Sequence, residues 1–203
     1  MPGVYDGGKL DLAGFAMGAV ERKGILPKGV RVGDTIIGVA SSGFHANGFS
    51  LIRKIIENNK IDYDQELPGT NARLGEALIK PTTIYVGPAL DCVDRDLVHA
   101  FAHITGGGLQ ENIVRVLPNH TKAIIDASQI TVPEVISFIV DKGQIDRAEA
   151  FRTFNMGVGF CVICDPDHAS AVHAIFSQYG MDCQNIGFIA QGEEQPTVDI
   201  KFA

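Results

Sequence analysis

The sequence predicts an α+β fold, in which helices pack against a mixed β-sheet. Its 203 residues are 45% hydrophobic and 20% charged, as in an ordinary soluble globular protein. Short apolar runs that end at glycines indicate strands, and stretches with apolar residues at helical spacing indicate helices. The two kinds of segment are mixed along the chain and do not alternate strictly, which favours a mixed sheet over a purely parallel one.

The first elements are two predicted strands and a helix. Residues 9–21 alternate with apolar side chains on both faces, which predicts a strand buried on both sides. Residues 34–40 are a second apolar run and predict a second strand. In residues 49–58 the apolar side chains recur four residues apart, which predicts a helix.

The middle of the chain continues this mixture. Pro81 ends a short predicted helix and separates it from the next one. The predicted elements here are helices over residues 71–79, 82–94 and 109–117, and strands over residues 98–105 and 122–126.

The last third begins with a possible capping box. Residues 131–134, Thr-Val-Pro-Glu, predict such a box at the start of a helix that runs to about Asp141. Asp165 and Pro166 start another predicted helix, which Gly180 stops. Strands are predicted over residues 158–164, 185–190 and 197–202. No linker or internal repeat interrupts the pattern, so residues 1–203 are expected to form one domain.

The formal net charge of −7 argues against general nucleic-acid binding, which requires basic patches that displace counterions. It does not exclude a phosphorylated small molecule, because backbone N–H groups at a helix start bind phosphate without net positive charge. No run of about 18 apolar residues is present, so no membrane span is expected. The first residues do not resemble a secretory signal, and we expect a cytoplasmic protein.

The four cysteines do not suggest a disulfide framework in a chain of this length. Cys161 and Cys164 form a C-x-x-C motif, but both lie in an apolar run that predicts a buried strand. Residues three apart on a strand point to opposite faces, so these two thiols are not expected to share a metal ion. We therefore predict no metal site in this chain.

The first of three glycine-rich junctions is Ser41-Ser-Gly-Phe-His-Ala-Asn-Gly48, between a predicted strand and a predicted helix. Glycine lets the backbone approach a ligand closely, and the helix start adds unpaired N–H groups. The alternative is a tight turn with Asn47 as the helix N-cap. His45 adds an imidazole, a group that titrates near neutrality. The candidate phosphate-binding residues of this junction are Ser41, Ser42, Gly43, Asn47 and Gly48.

The second junction, His103-Ile-Thr-Gly-Gly-Gly-Leu-Gln-Glu-Asn112, again joins a strand to a helix. Three successive glycines are unfavourable in conformational entropy, and a turn alone would need only one of them. Close approach of the backbone to an anion is the better explanation. His103 lies next to the turn and could reach a ligand bound there. The candidate binding residues are Thr105, Gly106, Gly107 and Gly108.

The third junction is Phe154-Asn-Met-Gly-Val-Gly159, which leads into a predicted strand. Asn155 is its candidate binding residue, although a bulge or turn explains the same residues equally well. The chain has no Walker A loop, no dinucleotide fingerprint and no nucleophile elbow. Local pattern alone therefore predicts phosphate-binding turns without identifying a reaction.

Five motifs, taken together, identify a family. They are Met1-Pro-Gly-Val-Tyr5, Ser41 to Gly48, Lys80-Pro-Thr-Thr-Ile-Tyr-Val86, His103 to Asn112, and Arg152-Thr-Phe-Asn-Met-Gly157, in this order. The combination resembles the phosphoribosylformylglycinamidine cyclo-ligase family, also called aminoimidazole ribonucleotide synthetases. The resemblance covers the whole chain and is most specific in the His103 block. It implies a C-terminal half built as a mixed sheet with helices, in agreement with the elements above.

The resemblance also implies a partner. The family shares an N-terminal half, a C-terminal half and ATP chemistry with selenophosphate synthetase, thiamine-monophosphate kinase, a hydrogenase-maturation dehydratase and formylglycinamidine ribonucleotide synthetase. In the family the Met-Pro-Gly-Val-Tyr segment follows an N-terminal domain that carries most of the nucleotide- and Mg²⁺-binding residues. This chain begins at that methionine. We therefore expect ATP and Mg²⁺ to be bound mostly by an absent N-terminal domain, which belongs to a longer parent or to a separate subunit. The family forms homodimers largely through that domain.

The activity that the resemblance implies is ATP-dependent ring closure of formylglycinamidine ribonucleotide. The two glycine turns would bind phosphate, and His45 and His103 would be the catalytic candidates, in polar contact or proton transfer. The isolated chain is expected to be inactive or nearly so. The alternatives are a related ATP-dependent phosphotransferase and a non-catalytic domain that binds a phosphorylated ligand or pairs with another subunit.

Overall fold

The computed structural model describes residues 14–202, and a single mixed sheet lies at their centre. The six strands of this described part are β1 (Thr35–Ala40), β2 (Ala100–His103), β3 (Thr121–Asp126), β4 (Val158–Cys164), β5 (Cys183–Gln191) and β6 (Thr197–Lys201). Their order across the sheet is β2-β4-β1-β5-β3-β6. All neighbouring pairs are antiparallel except β3 and β6, which run parallel. The prediction of an α+β fold with a mixed sheet is confirmed.

Helices cover both faces of the sheet. The described part of the chain contains α1 (Phe49–Asn58), α2 (Leu74–Leu78), α3 (Val86–Asp94), α4 (Gly108–Ile113), α5 (Glu134–Gly143), α6 (Arg147–Thr153) and α7 (Ala169–Gln178). Short 3₁₀ turns follow α4 at Val114–Val116 and precede α7 at Pro166–His168. No helix within residues 14–202 is long and apolar enough to cross a membrane.

The core is divided by the sheet into two unequal layers. Helices α1, α2, α4, α5 and α6 contribute to the larger apolar cluster, and α3 and α7 contribute to the smaller one. Adjacent strand residues alternate between the layers, so Ile36 and Cys161 belong to the larger cluster and Ile37 and Cys164 to the smaller one. The prediction that Cys161 and Cys164 point to opposite faces is confirmed. Each fully buried isoleucine or phenylalanine of these layers stabilises the fold by about 1.5–3 kcal/mol.

The strand predicted over residues 9–21 is not confirmed. Residues 9–13 lie outside the described residues, and residues 14–20 form no strand. Phe15 and Met17 are 93% and 90% exposed. A strand that is apolar on both faces requires neighbours on both sides, and no strand of the described sheet pairs with this segment.

Residues 131–134 do not form the predicted capping box. Helix α5 begins at Glu134, and its N-cap, Pro133, has no side chain that could accept a hydrogen bond. Thr131 instead pairs with Gln184 on β5: its hydroxyl accepts from Nε2 at 2.7 Å and its N–H donates to Oε1 at 3.2 Å. The tertiary contact therefore replaces the local cap.

Helix α6 was not predicted from the sequence. Asp146 caps it by accepting a hydrogen bond from the N–H of Ala148 at 2.9 Å. Only two of its side chains, Ala150 and Phe151, are buried, so its apolar period is too short to recognise. The helix packs against α4, a contact between distant parts of the chain that its local pattern does not show.

Most other elements form where the sequence predicts them, with shifted ends. Helix α1 has the predicted bounds, and β1 and β4 agree within one residue. The helices predicted over 71–79, 82–94 and 109–117 are shorter as α2, α3 and α4. The strand predicted over residues 98–105 is reduced to β2, because only four of its residues find a partner on β4.

Candidate functional site

The three glycine junctions meet at one end of the sheet. Strands β1 and β2 are both antiparallel to β4, so both end where β4 begins. The chain leaves β1 through the Ser41–Gly48 turn and leaves β2 through the His103–Gly108 turn, while the Phe154–Gly159 junction enters β4. We call these the first, second and third turns. A β-bulge between Val39 and Ala40 marks the contact of β1 with the third turn.

The first and second turns face each other directly. A side chain added at Gly106 would point towards Asn47 Oδ1, which would lie 4.0 Å from its Cβ. The imidazole rings of His45 and His103 are 6.5 Å apart between centroids. Residues that are about sixty positions apart in the chain therefore border one small region.

Asn112 shapes the second turn. Its Nδ2 donates to the carbonyl oxygens of Gly106 at 3.2 Å and Gly108 at 2.7 Å, and its Oδ1 accepts from the Thr105 hydroxyl at 3.0 Å. The carbonyls are thus turned inwards, whereas the N–H groups of Gly106 and Gly107 have no acceptor among the described residues. Free N–H groups in a glycine turn can bind an anion. The Thr105 hydroxyl is already used in holding the turn.

Asn155 fastens the third turn to the first. It is fully buried, its Nδ2 donates to the Gly43 carbonyl at 2.8 Å, and its Oδ1 accepts from the Gly157 N–H at 2.9 Å. The Ser41 hydroxyl lies 3.3 Å from the same Oδ1 and 2.8 Å from the Gly43 carbonyl. Because the Asn155 amide is used in bonds to the backbone of the first and third turns, a role in holding these turns is favoured over direct ligand contact.

Ser42, Asn47 and Gly48, the other predicted residues of the first turn, have three distinct roles in its structure. The Ser42 hydroxyl donates to the Pro81 carbonyl at 2.7 Å, which ties the turn to the segment before α3. Gly48, and not Asn47, is the N-cap of α1, and its φ of 74° is left-handed. A Cβ at Gly48 would overlap the ring of Phe154, so glycine is required there for packing. The Asn47 side chain does not cap the helix, and its Oδ1 faces Gly106 of the second turn.

His45 is held in an unusual environment. Its backbone has a φ of 57° and its residue surface is only 5% exposed. The Ser42 N–H donates to its Nε2 at 3.2 Å. Burial, and secondly the nearby His103, lower the pKa of His45 to about 4. His103, in contrast, lies on the exposed side of β2.

Tyr85 is a site residue that the sequence analysis did not single out. Its ring stacks on Phe160 at 5.1 Å and lies 6.1 Å from the ring of His45 and 6.2 Å from that of His103. Burial raises the pKa of its hydroxyl to about 12. Gly159 makes room for this arrangement, because a Cβ there would overlap the Tyr85 hydroxyl and lie 2.5 Å from His45 Cε1. In the sequence, only the place of Tyr85 in the Lys80–Val86 motif points to this residue.

An apolar groove of about 590 Å³ opens beside the site. Phe101 and Phe160 line it together with Val86 and Leu90 of α3, and His103 also lines it. Val86 and Leu90 are 60% and 56% exposed. Exposed apolar side chains clustered in this way mark interaction surfaces.

His99 lies at the other end of the sheet. Its Nδ1 is 2.7 Å from Oδ2 of the buried Asp34. This pairing agrees with the expectation of a half-buried structural histidine. Among residues 14–202, no three His, Cys, Asp or Glu side chains are grouped so that they could hold a metal ion.

Solved structures share this fold. The thiamine-monophosphate kinase of Stenotrophomonas maltophilia matches with a TM-score of 0.59 at 17% identity, over 86% of this chain and 52% of the kinase. Thermotoga maritima PurL, complexed with AMPPCP, matches at 0.53 and 14% identity over 90% of this chain and 25% of PurL. E. coli HypE, a hydrogenase maturation protein, matches at 0.50 and 17% identity over 85% and 48%. This chain thus spans about half or less of the length of these proteins.

A family match extends over most of the chain. Residues 31–199 match the family described as AIR synthase related protein, C-terminal domain. This stretch contains strands β1 to β5, the first part of β6 and all three turns. The chain belongs to the AIR synthase related family, and residues 31–199 form its C-terminal domain.

Proposed function

We propose that this chain is the C-terminal half of a phosphoribosylformylglycinamidine cyclo-ligase. The enzyme would convert formylglycinamidine ribonucleotide and ATP into aminoimidazole ribonucleotide, ADP and phosphate. The observation that carries the proposal is the meeting of the first and second turns, with His45 and His103 between them. These turns carry the two motifs on which the resemblance to the cyclo-ligases chiefly depends.

The reaction places two demands on such a site. The formyl amide oxygen attacks the γ-phosphorus of ATP, ADP leaves and the amide nitrogen loses its proton, which makes an iminophosphate. The amidine nitrogen then attacks the formyl carbon, and phosphate departs as the ring closes and the attacking nitrogen loses a proton. The charge on the phosphoryl group must be stabilised, and protons must be moved near the attacking nitrogen.

The residues of the two turns suit these demands. The free N–H groups of Gly106 and Gly107, and the first turn of α1 behind Gly48, are donors for phosphate oxygens. His103 is exposed beside them and is our candidate for moving protons near the attacking nitrogen. Ser41, Ser42 and Asn155 act indirectly in this proposal: their hydrogen bonds hold the first turn in place.

Magnesium does not fit the described residues of this chain. ATP reacts as a Mg²⁺ complex, and Mg²⁺ prefers carboxylate oxygens and water. The region around the two turns offers imidazoles, amides, backbone groups and the carboxylate of Glu111 beside Gly107. This carboxylate has no second or third ligand grouped with it, because no metal-binding cluster of side chains occurs in residues 14–202. We assign the Mg²⁺ ligands to the N-terminal half that the resemblance implies.

The apolar groove is the proposed contact surface for that half. It is continuous with the site, because Tyr85 and His103 border both. A polypeptide seated on Val86 and Leu90 would bring its own groups next to His103 and would exclude water from the reaction. Leu90→Asp should therefore weaken the association, whereas Phe188→Asp, at a 49% exposed site elsewhere on the surface, should not.

The decisive experiment is an ADP-release assay with Mg-ATP, with and without an added N-terminal half. Formylglycinamidine ribonucleotide is the substrate in one arm and thiamine monophosphate in the other. Turnover of the first substrate, restored by the added half, supports the cyclo-ligase. Turnover of the second supports a phosphotransferase, and no turnover from folded protein in either arm leaves a binding role.

The role of His103 is tested in the same assay. His103→Ala should lower the restored rate at least about a hundredfold, the usual size of a proton-transfer contribution. The exposed His120→Ala is the control. An unchanged rate in His103→Ala would remove His103 from the chemistry.

A further inference from the structure

One ring nitrogen of His45 is buried without a hydrogen-bond partner. Among the described residues, two buried side-chain polar atoms have no hydrogen-bond partner: Nδ1 of His45 and Oδ1 of Asp34. Asp34 Oδ1 lies 3.7 Å from Arg31 Nε, so a positive charge stands beside it. His45 Nδ1 belongs to no ion pair. Buried polar atoms are nearly always paired, so this atom requires an explanation.

The contact with Ser42 decides which kind of partner is missing. A backbone N–H can only donate, so His45 Nε2 must accept with its lone pair. The single proton of the neutral ring then resides on Nδ1. The unmatched atom is therefore a donor, and the group that would satisfy it is an oxygen acceptor.

The surroundings of His45 keep the ring neutral. The titratable groups that face it are His103, from the end of β2, and Tyr85, from the start of α3. The Tyr85 hydroxyl is already used as a donor to Ala40, and β4 contributes only Gly159. Neither the rings nor β4 supplies a negative charge. Protonation would also break the bond from Ser42, and the lowered pKa of about 4 agrees with this geometry.

We infer that His45 is a constitutively neutral hydrogen-bond donor, and that its Nδ1–H binds an oxygen atom of the ligand held between the first and second turns. The location of the ligand rests on the proposed function. The inference goes beyond that function because it separates the two histidines. His45 orients and polarises an oxygen without giving up its proton, and proton exchange is left to His103. A neutral imidazole is a suitable electrophile for a carbonyl or phosphoryl oxygen.

The state of the ring can be measured without turnover. ¹⁵N NMR of the histidine-labelled chain from about pH 5 to 8 should show the His45 proton on Nδ1 throughout. The resonance is assigned by its loss in His45→Asn. Titration of His45 in this range, or a proton on Nε2, would overturn the inference, whatever the enzyme assay shows.

The ligand is then identified with three separate probes. Inorganic phosphate, Mg-ATP and formylglycinamidine ribonucleotide are added one at a time, with the N-terminal half present. A shift of the Nδ1–H signal with phosphate or ATP assigns a phosphoryl oxygen, and a shift with the ribonucleotide alone assigns its amide oxygen. No shift with any probe would refute the ligand contact. A shift of the Nδ1–H signal in a protein that does not catalyse ring closure would contradict the proposed function and still support this inference.

A matched pair of variants tests the donor itself. Asparagine and aspartate both tolerate the left-handed backbone of His45, and only asparagine keeps an N–H near the position of Nδ1. His45→Asn should bind the responding probe with nearly the parental affinity, whereas His45→Asp should bind it about tenfold or more weakly, a difference of about 1.4 kcal/mol.

The control is the same pair at His120, which is exposed and also left-handed, with a φ of 63°. His120 precedes β3, at the end of the sheet away from the three turns. Equal binding by His45→Asn and His45→Asp, with both variants folded by circular dichroism, would contradict the donor role.

Discussion

The Tyr85 hydroxyl donates a 2.8 Å hydrogen bond to the carbonyl oxygen of Ala40, the last residue of β1. The bond joins the start of α3 to the point where the first turn leaves the sheet. The same ring stacks on Phe160 and lines the apolar groove, and it also lies 6.1 Å from the imidazole of His45. Several measurable consequences depend on this position of Tyr85 and on the turns around it.

Removing the Tyr85 hydroxyl should weaken the fold modestly. Tyr85→Phe keeps the stacked ring but removes the donor to the Ala40 carbonyl, which water can partly replace because Ala40 is exposed. We expect a loss of about 0.5–1.5 kcal/mol in the free energy of unfolding. Urea denaturation measures it. Tyr63→Phe is the control, because Tyr63 is 50% exposed. Equal stability of the two variants would show that the bond to Ala40 contributes nothing.

Gly159→Ala should be more damaging, and Tyr85→Phe should partly rescue it. The new methyl group would overlap the Tyr85 hydroxyl, and overpacking of this kind costs about 1–3 kcal/mol. Since Tyr85→Phe removes the overlapping oxygen, the double variant should be more stable than the sum of the single losses predicts. A thermal or urea series over the four proteins measures the coupling. Gly18→Ala, with open space around it, is the control, and strict additivity would contradict the proposed contact.

Two glycines of the second turn, Gly106 and Gly108, should respond differently to alanine. Gly108 has a φ of 60° and a Cβ there would overlap the Phe151 carbonyl, so Gly108→Ala should lower stability by at least about 2 kcal/mol. Gly106 has no such restriction, since its nearest neighbour would be Asn47 Oδ1 at 4.0 Å.

Gly106→Ala should therefore fold normally but bind phosphate poorly, because its methyl group would cover the free N–H groups of the turn. Titration calorimetry with Mg-ATP in the reconstituted protein should show about a tenfold loss of affinity or more. Normal affinity in a folded Gly106→Ala would remove the second turn from phosphate binding.

Asn155→Ala should destabilise the chain strongly. It would leave the Gly43 carbonyl and the Gly157 N–H unpaired in a buried place, at a cost of about 2–4 kcal/mol. Asn71→Ala, at an exposed position, is the control for urea denaturation. If the Asn155 variant were as stable as the control and only ligand affinity fell, the binding role first considered for Asn155 would be favoured instead.

The stability of the chain should depend on pH through His45. Its pKa is about 4 in the folded protein and 6.5 in an unfolded chain, so the unfolded state takes up the proton first as the pH falls. This contribution is fully present above about pH 6.5 and decreases towards pH 4, by about 3 kcal/mol in total.

The comparison that isolates this contribution is with His45→Asn, which cannot titrate. Between about pH 7 and 5 the parent should lose about 2 kcal/mol more than the variant in urea denaturation. Parallel losses in the two proteins would show that His45 titrates as it does in water.

The local sequence pattern was sufficient to predict the elements that have a long apolar repeat and clearly marked ends. Strands β1 and β4 and helix α1 are examples, because each carries a continuous apolar signal bounded by glycine, proline or a polar residue. The sites of the three turns could also be found, since glycine clusters between a strand and a helix are visible in the sequence.

What the pattern could not reveal is how these pieces come together. Nothing local shows that β4 inserts between β1 and β2, and this insertion brings His45 within reach of His103. The role of Tyr85 depends on the same long-range pairing. Thr131 was misjudged for a related reason, because its partner Gln184 is 53 residues away and outweighs the local capping pattern.

The position of β4 also sets the order in which the site can form during synthesis. Both β1 and β2 leave the ribosome well before β4, yet in the described sheet they touch each other only through it. A nascent chain that ends before Val158 therefore contains both glycine turns without any strand to hold them side by side. Non-local pairing of this kind is slow, and unpaired strand edges invite aggregation in the meantime. The chain should accordingly depend on chaperones until its last quarter has been made.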